Sequence, residues 1–272
     1  MNAQKAISPL NLRGGWALVR RTWSSWMAQR GFFWLLAFGW MIPPLVYLFV
    51  WSAAAGENAV AGMARGTFTA YYLLIIVVNQ MTYSTTNWTV GDTIRYGGLN
   101  AWLLRPLPPV FEALATEIAD KVVFMAFVFP AAGVLALLLK PELHPTPGQV
   151  LVFIPALLLA WALRFLWGYW LALLAFWSTR ADALLAVQDS LVFLLSGVAA
   201  PFALLPELGR FFAAILPFRY MVGFPVEVLS GQLDGRAVAG GLAAQAGWLL
   251  AALLLSVLVW KKGLRRYAAV GG

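Results

Sequence analysis

Two ionisable side chains stand inside apolar runs of this chain, Arg164 in "LLLAWALRFLWGYW" and Asp189 in "AVQDSLVF". Charges in such runs face a bundle interior or a water-filled cavity, where they pair, couple to ions or line a path for a solute. A further polar set, Asn79, Gln80, Thr82, Ser84, Thr85 and Thr86, crowds "VVNQMTYSTTNW". Groups of this kind either line a translocation path or join helices through hydrogen bonds. Asn79, Gln80 and Arg164 are the path candidates. Asp189 has a second reading, because Asp182, Leu185 and Asp189 share one helical face that would simply be wet.

Catalytic constellations are missing. There is no cysteine, which excludes disulfides, thiolate catalysis and Cys-ligated metals. The single histidine, His144, sits among turn formers in "KPELHPTPG". No GxxxxGK[ST], HExxH or GxSxG occurs. Glu112 and Glu117 could form an acid–base pair. The first turns of a helix favour acidic residues for a simpler reason, its positive end. The reading is a chain that is not an enzyme, with no metal and no nucleotide site of its own. If ATP powers it, another polypeptide hydrolyses the ATP.

Composition says what must position these residues. The 272 residues are 62% hydrophobic and 11% charged, with mean hydropathy +0.78. Soluble domains are nearer half apolar and a quarter charged, so the chain is an integral membrane protein. Its basic excess, 19 Lys and Arg against 11 Asp and Glu, suits orientation and anionic lipid rather than nucleic acid.

Six apolar runs are long enough to span a bilayer: 31–51, 67–88, 118–139, 150–177, 184–205 and 237–260. "SAAAG" after the first resembles a processing site, but that run is too long for a secretory signal and reads as an uncleaved span. With the N-terminus inside, thirteen Lys and Arg fall on the cytoplasmic side and five outside. That bias predicts both termini in the cytoplasm. Measured inward from the predicted span ends, Arg164 is about 20 Å deep and Asp189 about 8 Å, which argues against a direct pair.

Connections carry their own signals. Residues 10–30 place Trp16, Val19, Trp23, Trp26 and Met27 on one helical face, with Arg21, Ser25 and Gln29 away from it. This predicts a helix lying on the inner leaflet; a cytoplasmic extension of the first span is the alternative. The inward connection "GDTIRYGGLNAWLLRPLPPVFEALATEIADK" holds a short amphipathic piece (Ile94, Leu99, Trp102, Leu103), then a double proline that starts a new helix. In that helix Phe111, Leu114, Ile118 and Val122 form an apolar face, and Glu112, Thr116 and Asp120 another. The amphipathic piece is a handle through which a soluble partner could tilt two spans. Near the other end, "ILPFRYMVGFPVEVLSGQL" is too apolar for a surface loop and too interrupted for a span.

The second half, "GYWLALLAFWSTRADAL" followed by "LSGVAAPFALLPELGRFFAAILPFRYMVGFPVEVLSGQL", resembles the membrane permease subunits of type-2 ABC exporters, nearest to a mostly uncharacterised bacterial branch. Phe176-Trp177, Ser196-Gly197, Pro201, Leu205-Pro206, Pro217 to Tyr220, Phe224-Pro225 and Gly231 carry the likeness, which extends over essentially the whole chain. It implies an all-α polytopic membrane protein built as one transmembrane domain: an N-terminal interfacial helix, six transmembrane helices and a re-entrant outer hairpin between the fifth and sixth. The hairpin would occupy 201–232, with Pro201, Pro206, Pro217, Arg219, Pro225, Glu227 and Gly231 shaping it. Helices over about 205–216 and 219–229 would dip into the outer leaflet around Pro217; an outer loop lying flat, with Arg219 and Glu227 in the headgroups, is the alternative.

The coupling segment would be Gly91–Pro106, with Asp92, Arg95, Tyr96, Leu99 and Arg105 facing an ATPase. The likeness further implies a dimer of permeases, identical or homologous, in the cell membrane. Two copies of a cytoplasmic ABC ATPase would bind the ATP and Mg. The competing reading is a secondary transporter that couples to ions through Arg164 and Asp189; no inverted repeat supports it.

Overall fold

The computed structural model describes residues 12–55, 59–60, 62–105 and 108–267. Regular structure among them is helical, apart from one isolated bridge between Val60 and Met63. The N-terminal part is α1 (Leu12–Ala28), α2 (Arg30–Gly39) and α3 (Ile42–Ala55). The non-helical backbone of Gln29 separates α1 from α2, so α1 is not a straight extension of the first span. Instead it packs along α7 (Pro109–Leu139), where Trp23 stacks on Phe127 with ring centroids 5.8 Å apart. The start of the predicted interfacial segment, 10–11, lies outside the described residues, as do the chain's last five residues.

Between them run α4 (Arg65–Thr82), α5 (Thr86–Arg95) and α6 (Leu99–Leu103). The predicted span 67–88 is therefore broken: Tyr83, Ser84 and Thr85 are not helical. Four stretches of the described residues are long and apolar enough to cross a membrane, Phe33–Ala55, Pro109–Leu139, Pro147–Phe176 and Gly235–Leu264. Those at 109, 147 and 235 begin where the sequence supplies start signals. Pro109 opens α7. A Thr146–Gln149 capping box followed by Pro147 opens α8 (Pro147–Leu173). Asp234 accepts from Ala237 N at 2.7 Å to open α13 (Gly235–Leu264).

Helix α9 (Ala181–Leu195) ends ten residues before the predicted limit of span five. Gly197, at φ 96°, turns the chain out of the helix. The irregular backbone that follows is bonded by neighbouring side chains. Tyr71 Oη donates to Gly197 O at 3.1 Å, and Trp51 Nε1 and Tyr72 Oη donate to Ala199 O at 3.1 and 3.3 Å. Carbonyls freed within a membrane protein need such partners.

Three short helices complete the fold, α10 (Glu207–Ile215), α11 (Phe218–Met221) and α12 (Gly223–Leu229). They differ sharply in burial. Helix α10 exposes Leu208, Phe211, Phe212 and Ile215, whereas every residue from Tyr220 to Val228 is buried against α4, α8, α9 and α13. Pro217 forms the turn between the two parts, and Gly231, at φ 72°, closes the segment. Arg219 and Glu227 do not spread into solvent, as a flat loop would require. Arg219 Nε donates to Glu227 Oε1 at 3.2 Å, Nη2 reaches Oε2 at 2.5 Å, and the guanidinium stacks 3.7 Å from the centre of the Phe202 ring. The core is closed by α13 packed along α8. The fully buried Gln245 ties it there, donating to Ala156 O at 3.0 Å and Tyr220 O at 2.9 Å.

Candidate functional site

The α4–α5 break brings the sequence's polar cluster to one place. At the end of α4, Arg164 of α8 donates from Nη1 to Asn79 Oδ1 at 2.8 Å, Thr82 Oγ1 at 3.2 Å and Asn79 O at 3.4 Å. Its guanidinium lies 5.1 Å from the centre of the Tyr83 ring. Nη2 is 3.7 Å from Asp189 Oδ1, so Arg164 and Asp189 do meet. The two helices end elsewhere than the apolar runs do, which brings the charges to similar depth. Helix α8 stops at Leu173 and α9 starts at Ala181. Arg164 is nine residues from that turn and Asp189 eight, about 14 and 12 Å at helical rise.

From the opposite side, α7 grips the break itself. Glu117 Oε2 accepts from Ser84 Oγ at 3.0 Å and from Thr86 N at 3.2 Å. That caps α5, which has no side-chain cap of its own. Glu117 pairs with Lys121 at 3.0 Å, and Lys121 Nζ donates to Tyr83 O, whose own amide closes the last turn of α4. Asp120 accepts from Thr85 Oγ1 at 2.7 Å and from Trp26 Nε1 of α1 at 2.8 Å. On α7 the gripping side chains face inward. Phe111, Ile118 and Val122 are about half exposed while Glu117 and Asp120 are buried, because apolar side chains are at home against lipid and carboxylates are not. Sequence reading missed this grip. Its signal was the Glu117, Asp120, Lys121 spacing, one helical face inside an apolar run.

Below the break, α5 is fastened to α8 and to the turn that follows it. Asn87 Nδ2 donates to Phe165 O at 3.0 Å, and Arg95 Nη1 donates to Thr179 O at 2.9 Å. Arg95 also holds Tyr96, donating to its hydroxyl at 2.7 Å. Phe176 meets Trp260 and Tyr267 at the same end. Of the predicted coupling residues, Asp92, Arg95, Tyr96 and Arg105 are exposed, Tyr96 by 68%, and Arg105 pairs with Glu112 of α7. Leu99 is an exception. It is 1% exposed and packs in the core, so it anchors the segment and cannot meet a partner; Leu104, 89% exposed, and Leu103 are the exposed leucines there. Pro106 lies outside the described residues.

The path candidates also sort themselves. Arg164 and Asn79 are locked together and buried, and Gln80 is buried with Oε1 unbonded. Asp189, 14% exposed, borders an open cavity of 530 Å³ whose walls include Trp40, Tyr83, Trp88 and Ser190. Among the described residues no cluster of three or more His, Asp or Glu could hold a metal ion.

The family model described as ABC-2 family transporter protein matches residues 41–271. The chain belongs to the ABC-2 transporter family. The match covers all the elements from α3 through α13, so the clamped break and the segment 201–232 both lie within it. No curated protein matches the chain. As an ABC-2 family protein it is a multi-pass membrane component of a transporter and not itself the catalytic part. That agrees with the absence of a phosphate loop from its sequence.

Proposed function

We propose that this ABC-2 protein is the permease subunit of an ATP-driven exporter, moving its substrate outward through a dimer of permeases. Power would come from two copies of a separate cytoplasmic ATPase, which hold the ATP and Mg. The observation that carries the reading is the mechanical continuity of α5. Its far end carries the exposed Asp92 and Arg95, and the chain that follows, through α6, exposes Tyr96, Leu104 and Arg105. Its other end meets the three-residue break held by Glu117, Asp120 and Lys121, which directly follows the end of α4 that Arg164 holds. A push on α5 would be delivered to α4, α7, α8 and α9 together, because each has a side chain in that network.

In this reading 31–51, 67–88, 118–139, 150–177, 184–205 and 237–260 mark the six crossings, α4 and α9 serving for the second and fifth, with both termini cytoplasmic. Residues 201–232 form the re-entrant outer hairpin, and its buried Arg219–Glu227 pair supports placement within protein. The open cavity beside Asp189 is the stretch of translocation path that one protomer contributes. A secondary transporter coupled through Arg164 and Asp189 draws support from their contact. Arg164 is only 3% exposed, however, and has its nearest hydrogen bond to Asn79, which suits a fixed strut better than an ion carrier.

The test is reconstitution of the chain with its ATPase in vesicles. Arg95→Glu with Arg105→Glu should leave insertion intact and the ATPase active while transport falls to background. Transport by the purified chain alone, driven by an ion gradient without ATP, would establish the secondary-transporter reading instead.

A further inference from the structure

A cavity of 490 Å³ lies between α1, the α4–α5 break and α7, within the size range of small-ligand sites. It shares Tyr83 and Trp88 with the cavity beside Asp189, but not Asp120 or α1, and the translocation path proposed above does not run through it. Its wall holds Asp120, 5% exposed. Both carboxylate oxygens accept from neutral donors, Oδ1 from Trp26 Nε1 and Oδ2 from Thr85 Oγ1. Among the described residues Asp120 makes no ion pair, and the adjacent Lys121 is committed to Glu117 and to the carbonyl of Tyr83. A buried carboxylate without a counter-charge is costly, and each oxygen keeps a lone pair to offer. The rings of Trp26, Tyr83 and Trp88 line the same space, and aromatic faces attract cations. Thr86 borders it too. The α1 side is different. There Arg21, Ser25 and Gln29 border the cavity and are exposed, a cation and polar donors of the kind that hold phosphate.

We propose that this cavity binds the headgroup of a zwitterionic phospholipid, its ammonium against Asp120 and the aromatic rings and its phosphate against Arg21. Lipid fits better than a soluble phosphoammonium compound. Helix α1 exposes Trp16 and Trp23 beside Arg20 and Arg21, the composition of a helix lying in a bilayer interface. The lipid would join α1 to the break and to α7, in the same place where Trp26 already bridges α1 to Asp120.

Native mass spectrometry of the purified, delipidated chain in maltoside micelles tests this. Titrated with phosphatidylethanolamine, the chain should retain one lipid about tenfold more tightly than phosphatidylglycerol, whose headgroup carries no ammonium. Asp120→Asn should erase that preference, and Arg21→Ala should weaken both lipids. Should Asp120→Asn not fold, Ser25→Trp decides the matter. It lies at an exposed position on the cavity wall and should block retention without changing the thermal transition. Equal retention of the two lipids by the unmodified chain, or undiminished retention by Ser25→Trp, would overturn the site. Displacement of the lipid by an equal concentration of free phosphoethanolamine would overturn the lipid assignment.

Discussion

Replacing Arg164 by leucine tests how the break is held. The side chain makes its shortest bond, 2.8 Å, to Asn79 Oδ1, with a second at 3.2 Å to Thr82 and an ion pair at 3.7 Å to Asp189. Leucine removes all three and leaves the Asn79 oxygen buried and unbonded, at about 1–3 kcal/mol. Asp189 loses its counter-charge but keeps 14% exposure, so its share is smaller. The sum should reach the lower part of the 3–5 kcal/mol range typical of a broken buried pair, about 3 kcal/mol. Equilibrium unfolding in mixed micelles would read this directly, and a thermal scan should show a drop of about 6–12 °C. Double-mutant cycles then divide it. Coupling between Arg164 and Asn79→Ala should exceed coupling between Arg164 and Asp189→Asn, since the first contact is shorter and drier. An Arg164→Leu chain within about 0.5 kcal/mol of the parent would refute the reasoning.

Reporter fusions at Gly272 and within 140–148 should report opposite sides of the membrane; same-side signals would end the six-crossing topology. Because the chain has no cysteine, single cysteines at Leu204, Leu216, Val222 and Gln232 can be labelled from outside without background. Leu204 and Gln232 should react and Leu216 should be protected, as should Val222, which is wholly buried; uniform reaction would dismiss the hairpin. Gly223→Ala places a Cβ on the carbonyl of Ser196, where only backbone movement makes room. It should destabilise by about 1–3 kcal/mol in the same unfolding assay, and a neutral result would show that α12 sits less tightly on the α9 end than described.

Where an apolar run coincides with local start and stop signals, the fold was legible. The double proline ending at Pro109 announced α7, whereas the Thr146–Gln149 box with Pro147 and the Asp234 cap, which open α8 and α13, were present in the sequence but not read. The break between α4 and α5 was not read, since the polar residues 79–86 were kept inside a span drawn on to Trp88. The groups that stabilise it are remote, Ser84 meeting Glu117 33 residues away and Thr85 meeting Asp120 35 away. Chemistry showed better than geometry. The polar run 79–86 and Arg164 stood out as unusual in apolar sequence, yet their meeting depends on where α8 and α9 end, which hydropathy locates poorly. Leu99 was misjudged because an amphipathic piece reads the same whether its apolar face meets a partner or its own bundle. Glu117 and Asp120 were misjudged for the converse reason. In a membrane protein the apolar face of a helix can point outward, and the polar one inward.

The central claim is that a separate ATPase grips the end of α5. A photo-crosslinking residue at Tyr96 or Leu104, both strongly exposed, measures this most directly, with the same residue at Gln232 as the control at the far end of the bundle. The account predicts that Tyr96 and Leu104 crosslink to an ATP-binding protein, that Gln232 does not, and that Arg95→Glu with Arg105→Glu sharply lowers the yield. A chain that transports in vesicles while neither position captures an ATP-binding protein would contradict it.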